Sequence, residues 1–200
     1  MFTTVLRSTF NTMRNGSYIM HFDDAEWMHH WYTSQTDVTR EESKLTYRVD
    51  KSKDAIYLTI VSDKPFPLKN IDRAGMEVVE VKEYDLKPGD VVLFRLFCSP
   101  AKTQDNKKRI IHDKSEREEW IRNKLCRCMQ DIRIKEDHQS SFVLDKRNKK
   151  AGEVTIRVYG WEYQGYARVT DSEALKDLML SGIGKFKCYG MGQLLCKKAA

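Results

Sequence analysis

The chain runs strand, helix, strand, strand, strand twice over, and that repeated order restricts the fold more than any single motif. In the first half FTTVLRS (2–8) reads as a strand, and Ser17 is placed as the N-cap of a helix over about 18–32. KLTYRVD (44–50) and AIYLTIVS (55–62), split by a short polar link, read as a hairpin. Asp63 to Asp72, with two prolines, reads as a loop or short helix, and KPGD (87–90) as a turn before the strand VVLFRLF (91–97).

The second half repeats the order. Ser115 with Glu118 forms a capping-box pattern, predicting a helix to about Met129 with Ile121, Leu125 and Cys128 along one face. SFVLD and EVTIRVYG flank a basic turn in the predicted hairpin 142–158. Thr170 with Glu173 predicts a second capped helix to about Leu180, and QLLC can supply a last short strand. Each half therefore approximates βαββ(α)β. That order favours an α+β fold of two ferredoxin-like, RRM-like modules in tandem, divided as 1–88 and 89–200.

At 200 residues and 40% hydrophobic content the chain can bury a proper core. Its longest apolar run is about four residues, Val91 to Phe94, and MFTTVLRSTF lacks the apolar stretch of a signal peptide. These features predict a cytoplasmic protein with no membrane partner. Five cysteines at irregular spacing fit free thiols, and with neither CxxC nor HExxH we expect no metal.

Charge is distributed unevenly. Residues 1–88 carry 12 Lys+Arg against 14 Asp+Glu, net −2, whereas residues 89–200 carry 23 against 15, net +8. A one-sided basic excess suits a polyanion, most simply nucleic acid, although a solvated basic surface has the same composition.

The stretch GIGKFKCYGMG (182–192) holds four of the ten glycines. It matches neither the Rossmann nor the phosphate-loop pattern, so nucleotide binding is disfavoured and no cofactor or small-molecule ligand is expected. Gly182, Gly184, Gly190 and Gly192 could bring backbone N–H groups to phosphates, with Lys185 and Lys187 adding charge. A helix C-cap with a tight turn explains Gly182 and leaves Gly190 and Gly192 spare.

Two further basic segments are candidates. The turn DKRNKKAG puts Lys146, Arg147, Lys149 and Lys150 at a hairpin tip, which suits the deep major groove of an RNA stem. SPAKTQDNKKR offers Lys102, Lys107, Lys108 and Arg109. In GSYIMHFDD, Tyr18 and His21 are three apart and share one face of the predicted helix. A helix N-terminus favours the neutral imidazole that a general base needs, while Asp23 and Asp24 act in the opposite sense.

Four motifs in order resemble one family nearly end to end. YIMH (18–21), FRLFCSPAK (94–102), EREEWIRNKL (116–125) and GIGKFKCYGMGQLL (182–195) are similar to segments of CasE, the repeat-processing endoribonuclease of the type I-E Cascade complex. The resemblance implies two ferredoxin-like domains that bind the hairpin of CRISPR precursor RNA. They cut once at its base without metal, by attack of a 2′-hydroxyl that leaves a cyclic phosphate and a 5′-hydroxyl. His21 matches the family's catalytic histidine, as base or acid, and Tyr18 the tyrosine that assists it. Lys146 to Lys150 fall where the stem-binding hairpin lies, Lys187 matches the glycine-loop lysine, and Arg95 and Lys102 match basic residues of the strand motif. The resemblance also implies retention of the mature crRNA hairpin and contact with other Cascade subunits, chiefly the backbone subunit. Phe97 and Cys98-Ser99 depart from the pattern, as does Lys185, where a proline is usual.

Two other readings stay open on the residues. One is a non-catalytic hairpin-binding subunit of the same architecture. The other is an unrelated ferredoxin-like protein that binds a different polyanion or a protein.

Overall fold

In this computed structural model residues 1–9, 44–66, 76–148 and 152–199 are described. They form two units: Met1–Asp85 with Cys188–Gly190, and Leu86–Lys187 with Met191–Ala200. The helix expected over about 18–32, and residues 67–72 of the expected loop, lie outside the described residues.

The first unit is a four-stranded antiparallel sheet of β1 (Phe2–Thr9), β2 (Leu45–Lys51), β3 (Ala55–Ser62) and β4 (Glu77–Glu83), in the spatial order β2-β3-β1-β4. The polar link between β2 and β3 closes on itself, the Ser52 N–H donating to the Ala55 carbonyl at 2.8 Å and Ser52 Oγ accepting from the Ala55 N–H at 3.0 Å. Alternating apolar residues, Leu45 and Tyr47 on β2 and Ile56, Leu58 and Ile60 on β3, meet Leu6, Phe66 and Met76 in one core. Tyr47 buries its ring there, and its hydroxyl donates to the Cys188 carbonyl at 2.9 Å.

The second unit starts with β5 (Val91–Cys98), followed by a small hairpin of β6 (Ala101–Gln104) and β7 (Lys107–Ile110). Then come helix α1 (Lys114–Leu125), the long strands β8 (Met129–Asn148) and β9 (Gly152–Val169), helix α2 (Ser172–Ser181) and β10 (Leu194–Lys198). The main sheet runs β10-β5-β9-β8, every neighbour antiparallel. Counted within each four-stranded sheet, the order is fourth, first, third, second strand in both. That is the ferredoxin-like arrangement twice over.

On β5 the side chains alternate: Val92, Phe94, Leu96 and Cys98 are buried, whereas Val91, Leu93 and Arg95 face outward. Ile121 and Leu125 from α1 and Leu175 and Met179 from α2 are buried with them.

Both helix starts differ from the capping boxes expected. Asp113, not Ser115, caps α1, its carboxylate accepting the Glu116 N–H at 2.8 Å. Asp171, not Thr170, caps α2, accepting from the Glu173 and Ala174 N–H groups at 3.0 Å each. An aspartate caps as well as serine or threonine, and its charge adds attraction to the positive helix end. α1 also stops at Leu125 rather than near Met129. Met129 instead opens β8 opposite Val169, so pairing in the sheet overrides the helical period, and Cys128 is buried in the turn between them.

Candidate nucleic-acid interface

β5 ends at Cys98, and Ser99 and Pro100 turn the chain into β6. The β6–β7 turn takes left-handed backbone at Asp105 (φ 50°) and Asn106 (φ 58°), residue types that tolerate it. In the ladder Lys102 lies directly opposite Arg109, and Lys107 and Lys108 follow the turn. Lys102 pairs with Glu116 of α1, and Arg109 with Asp105 at 3.5 Å.

The glycine-rich stretch is folded against the base of this hairpin. The Lys185 N–H donates to the Ser99 carbonyl at 3.0 Å, and its ammonium reaches the Lys108 carbonyl at 3.4 Å. Cations from three separated segments, Lys102, Lys107–Arg109 and Lys185, are thereby gathered around one small hairpin. The β6–β7 turn supplies two of the segments and the Ser99 bridge the third.

Gly190 and Gly192 have close neighbours that the cap-and-turn reading left unassigned. At Gly192 (φ 82°) a Cβ would sit 2.5 Å from the Ile183 carbonyl oxygen. At Gly190 (φ 79°) it would sit 3.1 Å from Cε2 of Tyr47. The Gly192 N–H donates to the Phe97 carbonyl and the Gly182 N–H to that of Leu178. The loop is thus held by its own backbone, its glycines permitting approaches that a side chain would block. Lys187 Nζ donates to the Ser181 carbonyl at 2.8 Å, closing the same loop.

Other expected positions are distributed along the sheet. Arg95 reaches Glu162 at 3.2 Å, its own side chain half exposed and the glutamate buried. Lys146 and Arg147 stand at the far end of β8, opposite Val154 and Glu153. Tyr18, His21, Lys149 and Lys150 lie outside the described residues.

A buried group that local sequence reasoning missed joins the segment after the hairpin to α1, β8 and β9. Arg117 of α1 is buried, pairs with Glu136 of β8, donates to the His112 carbonyl, and stacks its guanidinium 4.2 Å from the Trp161 ring centre. The His112 ring stands edge-on to Tyr159 and Trp161, 6.3 Å from each. Nothing nearby in the sequence announces this cluster, because Glu136 is 19 residues from Arg117. Burial also raises the neighbouring Tyr163 hydroxyl and Cys98 thiol well above their ordinary pKa values, so both stay protonated and uncharged at neutral pH.

Among the described residues no group of His, Cys, Asp and Glu is placed to hold a metal ion, and no helix is long and apolar enough to cross a membrane.

Two successive ferredoxin-like sheets, the second with cations from separate segments converging on a surface hairpin, define a tandem ferredoxin-like protein with a candidate polyanion-binding surface. The family model described as CRISPR associated protein matches residues 6–198. The chain belongs to that family, in keeping with the resemblance of its motifs to CasE.

Solved structures show the same fold. A CRISPR endoribonuclease Cse3 bound to 19 nt RNA superposes with a TM-score of 0.81 at 18% identity, over 98% of this chain and 100% of that one. Cas6e from Escherichia coli str. K-12 gives 0.67 at 18% identity, with both chains covered in full. A chain of a CRISPR RNA-guided surveillance complex gives 0.69 at 19% identity, again covering 100% of both. No curated protein matches the sequence.

Proposed function

We propose that this protein is a site-specific endoribonuclease that cuts CRISPR precursor RNA at the base of the repeat hairpin and keeps the product. The observation that carries this reading is the convergence of Lys102, Lys107, Lys108, Arg109 and Lys185 on one surface hairpin in a chain of a CRISPR-associated family. A structural relative named as an endoribonuclease and bound to RNA, and another that is a chain of an RNA-guided surveillance complex, support it.

In this reading RNA phosphates lie against those cations, with Arg95, Lys187 and the tip residues Lys146, Arg147, Lys149 and Lys150 adding to the field. The glycines Gly182, Gly184, Gly190 and Gly192 act indirectly: they let the loop pack tightly on Leu178, Ser99, Tyr47 and Ile183, which holds Lys185 beside the hairpin, and the Gly182 and Gly192 N–H groups are spent inside the protein rather than on phosphate.

The chemistry is carried over from the resemblance. The 2′-hydroxyl upstream of the cut attacks the adjacent phosphorus, a P–O bond forms, and the bond to the 5′-oxygen breaks. One proton leaves the 2′-oxygen and one reaches the departing 5′-oxygen, so the products are a cyclic phosphate and a 5′-hydroxyl with no metal required. His21 moves one of these protons and Tyr18 assists it. Proton transfer of this kind contributes about 10²–10⁴-fold, and alignment of nucleophile and phosphate supplies more. Product held by many phosphate contacts leaves slowly at low salt, which suits a cytoplasmic subunit that stays on the crRNA hairpin and docks on the backbone subunit of Cascade.

The test is incubation with EDTA and a labelled repeat RNA, beside His21→Ala and a substrate with 2′-deoxyribose at the cut. Cutting by wild type alone, leaving a cyclic phosphate, supports the mechanism. Tight binding without cutting by any version moves the assignment to a non-catalytic hairpin-binding subunit. Undiminished cutting by His21→Ala retains the endoribonuclease and removes His21 from its site.

A further inference from the structure

Arg95 apart, the outward face of the second sheet carries a pattern that the hairpin-binding reading does not use. Across its four strands, in register, lie Lys197 of β10, Leu93 of β5, Tyr166 of β9 and Arg133 of β8. The next row is Leu195, Arg95, Gln164 and Lys135. Side chains directly opposite in a ladder share one face, so each row is a continuous strip. Leu93 and Tyr166 are exposed to 53% and 50% of their surface, although they occupy the two central strands, where apolar side chains are usually covered. On the two central strands of the first sheet the outward positions Thr3, Thr59 and Val61 are buried and Val5, Arg7 and Tyr57 half-buried, and the exposed valines of that sheet, Val78, Val79 and Val81, lie on its edge strand β4. Among the described residues, exposed apolar side chains on central strands therefore belong to the second sheet.

The rim of this apolar centre is basic. Lys197, Arg133 and Lys135 are exposed, and Arg168 adjoins them in the following row. The acids nearby are Glu162, buried and joined to Arg95, and Asp131, 3.4 Å from Arg168. An aromatic ring and an aliphatic side chain at the middle of a sheet, ringed by cations, meet the two needs of an unpaired strand of RNA. The flat surface stacks bases and the rim holds phosphates. A paired stem offers no base faces to such a surface. An acidic protein partner would meet the cations but offers no flat bases to the exposed ring at the centre.

We infer that this face binds single-stranded RNA contiguous with the repeat hairpin, Tyr166 stacking a base and Lys197, Arg133 and Lys135 holding the flanking phosphates. The inference rests on the hairpin reading above, and the experiment separates the two.

Affinity is measured for three labelled RNAs: the repeat hairpin alone, the hairpin with an unstructured single-stranded extension on either side, and an unstructured oligonucleotide of about ten nucleotides. Wild type is compared with Tyr166→Ala and Tyr166→Phe. The expected result is roughly tenfold tighter binding of an extended hairpin, the contribution of one or two stacked bases. Tyr166→Ala should lose that increment, Tyr166→Phe should keep it, and affinity for the bare hairpin should be the same in all three. If neither extension adds affinity, or Tyr166→Ala retains the increment, the platform is overturned while the hairpin reading stands. If the bare hairpin does not bind, the hairpin reading fails. The oligonucleotide then decides: binding that Tyr166→Ala weakens supports the platform, and no binding overturns it.

Discussion

Arg117 grips Glu136 through two parallel hydrogen bonds, Nε to Oε2 at 3.0 Å and Nη2 to Oε1 at 2.9 Å. Both side chains are largely removed from water, at 6% and 12% exposure, so neither charge has solvent to fall back on. Arg117→Ala should therefore lower stability by about 3–5 kcal/mol, mostly through the glutamate it strands. Replacing both partners with apolar residues, Arg117→Met with Glu136→Leu, should recover a large part of that loss. Urea denaturation of the four members of the double-mutant cycle measures it, and additive losses would contradict a coupled pair.

The caps give a paired comparison. Asp113→Ala and Asp171→Ala each remove a carboxylate that accepts helix N–H groups and should each cost about 1 kcal/mol. Ser115→Ala and Thr170→Ala, at the positions that the sequence pattern favoured, should change stability by less than about 0.5 kcal/mol. Thermal midpoints of the four variants test the ranking.

Gly192 and Gly89 both adopt positive φ, at 82° and 95°, but only Gly192 faces backbone. Gly89→Ala meets open space and should cost about 1–2 kcal/mol from conformation alone. Gly192→Ala must also displace the Ile183 carbonyl and should cost more than about 3 kcal/mol. Equal losses in a denaturant titration would show that the loop yields to the added methyl.

Thiol reactivity should divide the five cysteines sharply. Cys98, Cys128 and Cys196 are buried, and burial pushes the Cys128 thiol up to about 11 and the other two further in the same direction. Near pH 8, a disulfide reagent should label Cys126, which is exposed, quickly and Cys188 more slowly, and the remaining three only in denaturant.

Asp90 ties the start of β5 to the C-terminal strand. Hydrogen bonding to Lys198, at 2.6 Å, and to the Lys87 N–H holds its carboxyl below the usual carboxylate range. A depressed folded-state value stabilises above the unfolded value and loses that contribution as pH falls through the folded one. Asp90→Asn should thus lower the melting temperature near pH 7 and converge with wild type on the acid side of about pH 4. A constant difference across that range would remove the carboxylate's charge as the cause.

The strands were the readable part of the fold, because alternation is written directly into VVLFRLF and AIYLTIVS. Helix ends were less readable. Ser115 sits two residues after the aspartate that caps α1 and Thr170 one residue before the aspartate that caps α2, both of which cap at least as well, and Met129 leaves the helical period because Val169 lies opposite it. Sequence distance concealed the Arg117–Glu136 pair and the row from Lys197 to Arg133, whose members come from four separate strands. The glycine loop was identified as a special backbone segment. Which carbonyl each glycine faces is a property of the packed chain alone.

The Cys188–Gly190 segment belongs to the first unit, where Tyr47 donates to the Cys188 carbonyl and its ring lies beside Gly190. A growing polypeptide therefore completes its first unit only after most of the second has been made. A ribosome that has delivered Met1–Asp85 has not yet made the final piece that this unit contains, and nearly all of the second must be synthesised before it emerges. An isolated fragment ending at Asp85 would leave the Tyr47 hydroxyl without the Cys188 carbonyl, so the first unit is completed only by a segment from far along the chain.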